Sequence, residues 1–107
     1  MLAKDRNWRL SPAFDLTPGP TIAFERRDFA MMCGKAGRYA NYENLMSQHD
    51  RFLLSEKEAT AILDNIVETV RNQWWPTMRR AGVSVTDCEA IASAFLYDGF
   101  FYKRVVQ

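Results

Sequence analysis

The stretch from Ser55 to Gly82 constrains the fold of this chain more than any other part of its sequence. Its apolar residues recur every three or four positions, which places them on one face of an α-helix. These residues are Ala59, Ile62, Leu63, Ile66, Val67, Val70 and Trp74. Ser55 and Glu58 have the spacing of a capping box, and Gly82 stands where a left-handed residue commonly ends a helix. The sequence therefore predicts one long amphipathic helix.

Pro76 interrupts this helical pattern. Proline has no N–H, and its ring crowds the carbonyl four residues earlier, at a cost of roughly 3 kcal/mol in a helix interior. The residue before a proline also disfavours helical backbone angles. We therefore expect a kink or a break near residues 73–75, with a second helical piece from Pro76 to Ala81.

Residues 1–40 predict a segment of short strands and loops. Residues 7–10 fit a strand, and two more are expected at 21–24 and 29–33. Between them, residues 11–20 contain three prolines and a glycine, which excludes regular structure.

Asp15 is the one acidic residue in the proline-rich stretch, and it stands between Phe14 and Leu16. Burying those two apolar side chains would draw the carboxylate inward, where it needs a hydrogen bond or a metal ion. The alternative interpretation of Asp15 is a turn or cap residue.

Shorter helices are expected in the rest of residues 41–107. Asn41 is placed to cap a helix that runs to Leu53. Thr86 and Glu89 fit a second capping box, before a helix that ends ahead of Gly99. We predict a single, mainly α domain over residues 1–107, a bundle of about three to four helices with a short β/loop N-terminal extension. Ile66 and Val70 are expected to be buried between the long helix and its neighbours.

Composition excludes several classes of protein. The chain has 14 basic and 13 acidic residues, a net charge of +1, which argues against a nucleic-acid binder that relies on bulk charge. Cys33 and Cys88 lack metal-type spacing and are interpreted as free thiols. No apolar run reaches membrane-spanning length, and no signal-peptide pattern is present. We therefore expect a cytoplasmic protein with no membrane partner.

Two further residues invite a chemical role that their surroundings do not support. His49 is the only histidine, and it lies beside an apolar stripe, which is typical of a hydrogen-bonded structural residue. Lys35 lies between Gly34 and Gly37, but the full phosphate-loop pattern is missing. We assign no chemistry to either residue.

The segment Trp8–Pro18, with the sequence WRLSPAFDLTP, closely resembles the segment that follows the catalytic loop in HipA-type toxin kinases. These are serine/threonine protein kinases of bacterial toxin–antitoxin modules, with an atypical kinase-like fold. The resemblance continues, in the family's order, through Met32–Gly37, Asn41–Leu45, Leu54–Ala59 and Ala81–Ser84. It covers most of this chain but only the C-terminal region of the family.

The resemblance gives Asp15 a specific role. In the family, the aspartate at this place binds magnesium, as the Asp of the kinase D-F-G motif does. Mg-ATP is therefore the cofactor that the resemblance implies for the full-length family. Hard oxygen ligands suit a magnesium ion that bridges phosphate groups. Asp15 is thus the candidate metal ligand of this chain.

The same resemblance also implies that the chain alone is inactive. The family's catalytic aspartate, second metal-binding asparagine and phosphate-binding loop lie upstream of the matching segment and have no counterpart here. A single metal ligand cannot position ATP or activate a hydroxyl group. We therefore assign no catalytic or cofactor-binding residue and expect no tight binding of Mg-ATP to this chain alone.

Two functions fit these expectations. The first is the C-terminal helical portion of a HipA-type kinase, supporting the Mg-ATP site from below. The alternative is a stand-alone interaction module or remnant that binds an antitoxin, a separately encoded kinase half or itself.

Contact with DNA is a third hypothesis, and it would be weak or made through an antitoxin complex. The basic residues available for it are Arg71, Arg79, Arg80, Lys103 and Arg104. A piece of a larger lobe would also expose apolar surface, so we expect self-association through the N-terminal segment or the aromatic tail Phe100–Tyr102.

Overall fold

The computed structural model describes residues 7–12 and 23–106. Asp15 and most of the proline-rich loop lie outside these residues. The described residues form three α-helices: α1 (Tyr42–Met46), α2 (Glu56–Arg80) and α3 (Val85–Ile91). Single 3₁₀ turns occur at His49–Phe52, Ala92–Ala94 and Asp98–Phe101. The prediction of a mainly α fold is confirmed.

Helix α2 is one continuous helix of 25 residues. The predicted capping box is present, because the Ser55 hydroxyl accepts from the Glu58 N–H and the Glu58 carboxylate accepts from the Ser55 N–H, both at 3.1 Å. Gly82 has a φ of 91°, as expected for a residue that ends a helix. Caps at both ends therefore define the length of this helix.

Of the kink or break expected near residues 73–75, the break and the separate second helical piece are wrong, since α2 runs through Pro76. Proline removes one backbone hydrogen bond, and packing on either side can hold the helix through that gap. The Trp74 ring stacks on Phe95 with 4.6 Å between centroids, and the Trp75 ring packs edge-on against Trp74 at 5.5 Å. These aromatic contacts fix the helix at the point where the break was expected.

The expected strands at 7–10 and 29–33 are not formed. In the described part of the chain, the loop shows isolated antiparallel bridges, Asp28 with Tyr39 and Gly34 with Gly37. Backbone groups of this loop are paired instead with Asn44, whose side chain is fully buried. Its amide donates to the carbonyls of Gly37 and Tyr39, at 3.1 and 2.9 Å. Loop carbonyls that a neighbouring strand would have used are thus paired with one side chain.

Asn44 also fixes how closely the loop approaches α1. Its side-chain oxygen accepts from the Ala36 N–H at 2.7 Å. A Cβ atom on Gly34 would lie 2.0 Å from the Asn44 backbone oxygen, so only glycine fits at that point. The loop and the first helix therefore form one rigid unit.

Asn41 ties this unit to the last part of the described chain. As predicted, it is the N-cap of α1, and its side-chain oxygen accepts from the Asn44 N–H. Its side-chain amide donates to the carbonyls of Gly99 and Tyr102, at 2.8 and 3.0 Å. Because Asn41 is fully buried, these bonds are shielded from competing water.

The two shorter helices differ from their predicted bounds. Helix α1 ends at Met46, and the following 3₁₀ turn ends at Leu53, whose φ is 60°. The N-cap of α3 is Ser84 rather than Thr86, because the Ser84 hydroxyl accepts from the Asp87 N–H. Ser84 has an extended backbone, and its hydroxyl pairs with a free N–H group of the first helical turn. The helix therefore begins two residues earlier than the expected capping box would have placed it.

The apolar core is small. Among the described residues, the buried apolar side chains are Tyr39, Ala40, Ala59, Val67, Cys88 and Tyr97. The prediction that Ile66 is buried is wrong, since 52% of this residue is exposed, and Val70 is partly buried. The body packs on the other side of α2, where the Tyr42 hydroxyl donates to Asp64 at 2.7 Å.

No helix within residues 7–12 and 23–106 combines the length and apolar character that a membrane crossing requires.

We predict that Asn44→Ala destabilises the fold by roughly 2–4 kcal/mol. The substitution removes the acceptor of the Ala36 N–H and the amide donor to the Tyr39 and Gly37 carbonyls, of which Gly37 still accepts from the Cys33 N–H at 3.0 Å. Each buried group left unpaired costs about 1–3 kcal/mol. Urea unfolding followed by circular dichroism measures the change. Asn65→Ala, at an exposed position of α2, is the control and should change stability by less than about 0.5 kcal/mol. Equal effects of the two substitutions would contradict the assigned role of Asn44.

A second prediction concerns the buried face of α2. Val67→Ala should cost about 1.5–3 kcal/mol because Val67 is only 7% exposed. Ile66→Ala removes more atoms but should cost about 1 kcal/mol or less, because half of that side chain already contacts water. Urea unfolding of both variants tests this order. A larger loss of stability in Ile66→Ala than in Val67→Ala would show that the core lies on the Ile66 side of α2 and would contradict the prediction.

Candidate interaction surfaces

The described residues do not supply a metal centre. Residues 7–12 and 23–106 contain no group of three or more His, Cys, Asp or Glu side chains that could hold a metal ion. Asp15, the predicted magnesium ligand, lies outside them. The magnesium and Mg-ATP expectations therefore stay predictions that follow from the resemblance.

The His49 side chain and the Lys35 backbone each have a structural partner. The Nδ1 atom of His49 lies 2.7 Å from the carbonyl oxygen of Leu54, where it helps close the turn after α1. The Lys35 backbone N–H donates to the Ser47 hydroxyl at 2.9 Å. None of these contacts assembles a catalytic group.

Both cysteines are free thiols, as predicted. Cys88 is completely buried in the first turn of α3. Burial also raises the pKa of the Cys33 thiol, which lowers its reactivity near neutral pH. Neither cysteine has the microenvironment of a nucleophile.

A cluster around Tyr97 holds the loop to the segment that follows α3. The Tyr97 hydroxyl donates to the carbonyl of Ala40, and the Arg27 guanidinium lies 4.5 Å from the Tyr97 ring centroid. Nη1 of Arg27 donates to the carbonyl of Ser93 at 2.5 Å, while Nη2 is buried without a partner. Burial raises the pKa of Tyr97. The role of this cluster is structural.

A groove of about 460 Å³ lies beside α1 and contains several charged groups. Asp64 accepts from Tyr42, and Arg71 pairs with Glu68 at 2.5 Å. The Arg71 guanidinium also lies 5.7 Å from the Phe101 ring centroid. These contacts dock the aromatic tail on the body of the protein, so the charged groups of the groove serve packing within the chain.

Helix α2 has one exposed side without a charged residue over its length from 61 to 77. With 100° between successive residues, these positions share a flank next to the buried face. We call this flank the open face. It consists of Ala61, Ile62, Asn65, Ile66, Thr69, Asn72, Gln73, Pro76 and Thr77, all of which are exposed.

The rest of the exposed surface of α2 has a different composition. A third side of the helix, between the open face and the buried face, carries Lys57, Asp64, Glu68 and Arg71. Depletion of charge marks the centre of protein–protein interfaces, whereas a solvated helix side is normally charged. The open face is therefore a candidate interaction surface.

Two isoleucines give the open face its apolar character. Ile62 is 47% exposed and Ile66 is 52% exposed. Each borders a shallow apolar groove, with Phe52 across the groove from Ile62 and with Phe29 and Phe95 near Ile66. The Thr69 hydroxyl donates to the carbonyl of Asn65 at 2.7 Å, so this hydroxyl is already satisfied within the helix.

The segment 7–12 is a second exposed apolar surface. Trp8 is 78% exposed and Leu10 is 95% exposed. Large apolar side chains left this open are expected where another chain or another part of the same protein covers them.

Sequence analysis missed the open face because it assigned Ile62 and Ile66 to the core. A signal was nevertheless present. The apolar stripe of α2 is wider than a small bundle can cover, and the polar residues beside Ile62 and Ile66 are Asn, Thr and Gln rather than charged residues.

Comparison with known proteins identifies no relative of this chain. No protein-family model, curated protein or solved structure matches it. The HipA-type resemblance therefore depends on the quoted motifs alone.

The Tyr97 cluster predicts a loss of stability at alkaline pH. The pKa of Tyr97 is raised in the folded state. The stabilisation that its protonated hydroxyl gives the fold is therefore fully present below the unfolded-state pKa of about 10, and it is lost as the pH rises above that pKa. Burial raises the pKa values of Tyr39 and Tyr42 as well. Urea unfolding at pH 8 and at about pH 11 should show lower stability at the higher pH, and Tyr97→Phe should reduce the difference. An unchanged difference in Tyr97→Phe would contradict this assignment.

Proposed function

We propose that this chain is the non-catalytic, C-terminal helical part of a HipA-type serine/threonine kinase of a toxin–antitoxin system. In this proposal, it supports the Mg-ATP site of the complete enzyme and phosphorylates nothing by itself. The observation that carries the proposal is the exposure of Trp8 and Leu10, at 78% and 95%. These residues begin the motif that, in the family, directly follows the catalytic loop.

The position of this exposed segment supports the proposal. In the family, the catalytic and phosphate-binding loops precede the matching segment in sequence. A kinase half placed there would cover Trp8 and Leu10 and thereby remove two large apolar side chains from water. At about 25 cal/mol per Å² of apolar area, covering them would favour association.

The composition of the described residues agrees with a supporting role. They carry paired asparagines and tyrosines that fix loops, and their thiols and single histidine have structural partners. Asp15 is then the one residue that this chain would contribute to the magnesium site, through the same motif as Trp8 and Leu10.

The first test is the genomic DNA directly upstream of the Met1 codon. We expect it to encode a catalytic loop with an aspartate and an asparagine, together with a phosphate-binding loop. The coding sequence is either continuous with this chain or a separate adjoining gene. Upstream DNA that encodes no such loops would contradict the proposal.

The second test joins the two parts. The upstream-encoded kinase half, co-expressed with this chain, should co-purify with it and hydrolyse or transfer phosphate from Mg-ATP. A Trp8→Ser, Leu10→Ser double variant should lose at least tenfold in affinity for that half. Ile66→Ser, an exposed apolar residue on a different surface, is the matched control and should bind normally. Equal loss in both variants would place the contact elsewhere.

A further inference from the structure

We propose that the open face of α2 binds the open face of a second copy of this chain, with the two α2 helices antiparallel. The exposure and the charges of α2 favour this contact, whether or not the chain is part of a kinase. The open face thus binds a second copy of this chain, whereas the segment 7–12 remains the surface for the rest of the kinase.

Charge at the two ends of the open face points to an antiparallel partner. Glu58 lies on this flank at the N-terminal end of α2, and Arg80 lies on it at the C-terminal end. The 22 residue steps from Glu58 to Arg80 span about 33 Å at 1.5 Å per residue. When a second α2 lies antiparallel, each Glu58 faces the Arg80 of the other copy. A parallel arrangement would instead place like charges together at both ends.

Both charged groups retain capacity for this contact. One oxygen of Glu58, Oε1, accepts the Ser55 N–H of the capping box, which leaves Oε2 for a second donor. Nη2 of Arg80 makes one long contact of 3.4 Å to the Thr77 hydroxyl. An arginine guanidinium carries five N–H donors, so several remain available to a carboxylate.

The middle of the open face is suited to a two-fold axis. Thr69 is midway between Glu58 and Arg80, and its small side chain permits close approach of two helices. Pairing about this point sets Asn65 of one copy opposite Gln73 of the other. Side-chain amides both donate and accept, so a face that contains them can satisfy itself across an isologous contact.

The size of this face sets the expected strength. Its nine exposed positions per copy are fewer than the roughly 20–30 residues per side of a standard stable interface. We therefore expect a dimer that forms at micromolar to tens of micromolar concentrations. Sedimentation velocity from about 1 to 200 µM should show a concentration-dependent shift from the 12.4 kDa monomer towards twice that mass.

Substitution at the centre of the face should prevent the shift. Ile66→Asp places a charge against the facing copy and should hold the chain monomeric at 200 µM. Lys57→Asn, on the charged side of α2, is the matched control and should dimerise as the unmodified chain does. Because both positions are exposed, circular dichroism should show an intact fold in both variants.

A charge exchange tests the antiparallel pairing. Glu58→Lys alone and Arg80→Glu alone should each weaken self-association at least fivefold, since each homodimer then has like charges opposed at both ends. Mixing the two variants should restore association, because every end contact in the mixed dimer is again between opposite charges. Glu58→Lys also removes the capping box, but a helix-stability effect would not be reversed by mixing.

Cross-linking locates the two-fold axis. In a Cys33→Ser background, Thr69→Cys should be joined between copies by a short bismaleimide, since the two thiols meet at the axis. Ile62→Cys should not, because residues 62 of the two copies would lie about 21 Å apart along the helices. Cross-linking of both variants would indicate a parallel pair.

The results of these experiments test the α2 dimer separately from the proposed kinase function. A monomer at 200 µM, or an Ile66→Asp variant that still dimerises, would overturn the open-face contact. If the upstream kinase half covers the open face instead, the Ile66→Asp variant would no longer bind that half. The Trp8→Ser, Leu10→Ser double variant would still bind it. If the chain dimerises as expected and no kinase half exists, the dimer stands and the kinase proposal fails.

Discussion

The fold depends on two buried asparagines that replace missing secondary structure. Asn41 and Asn44 are fully buried, and between them they pair with backbone groups of the loop before α1 and of the segment after α3. A buried carbonyl without a donor is costly, and loops of this length have no ladder of their own. Two side chains therefore hold together parts of the chain that no sheet connects.

This solution leaves the long helix with little to support it. The asparagine network, the tyrosine cluster and the aromatic tail all lie on one side of α2, so its core contacts are confined to Ala59, Val67 and their partly buried neighbours. The Ile62 and Ile66 side chains are then only about half covered by the described residues, at 47% and 52% exposure. Much of the stability of α2 must come from its own capping box, its helix-forming residues and the Trp74–Phe95 stack. A helix built in this way can offer one flank to another protein.

Local chemistry was predictable from the sequence, and three-dimensional choices were not. The Ser55–Glu58 capping box and the Asn41 cap depend on residues within one turn, so their spacing was sufficient. The apolar stripe of α2 is too wide to be buried completely. The flank that becomes core depends on where the rest of the chain packs, as through the Tyr42–Asp64 contact, and the periodicity of the sequence does not encode that choice. Pro76 shows the same limit, because aromatic packing from a distant segment keeps the helix continuous. For Asp15, the neighbours Phe14 and Leu16 predict only a need for a partner, and the magnesium role comes from the resemblance alone.

The capping of α1 has a consequence for the time course of folding. Asn41 completes its hydrogen bonds with Gly99 and Tyr102, which follow it by 58 and 61 residues. During synthesis, residues 99–102 leave the ribosome last among these partners, so the buried amide of Asn41 stays unpaired until they have emerged. At about 5–20 residues per second, that interval lasts several seconds. The loop before α1 therefore cannot complete its packing until the C-terminal residues have been synthesised. A nascent chain stalled before Gly99 would expose this loop to chaperones and proteases.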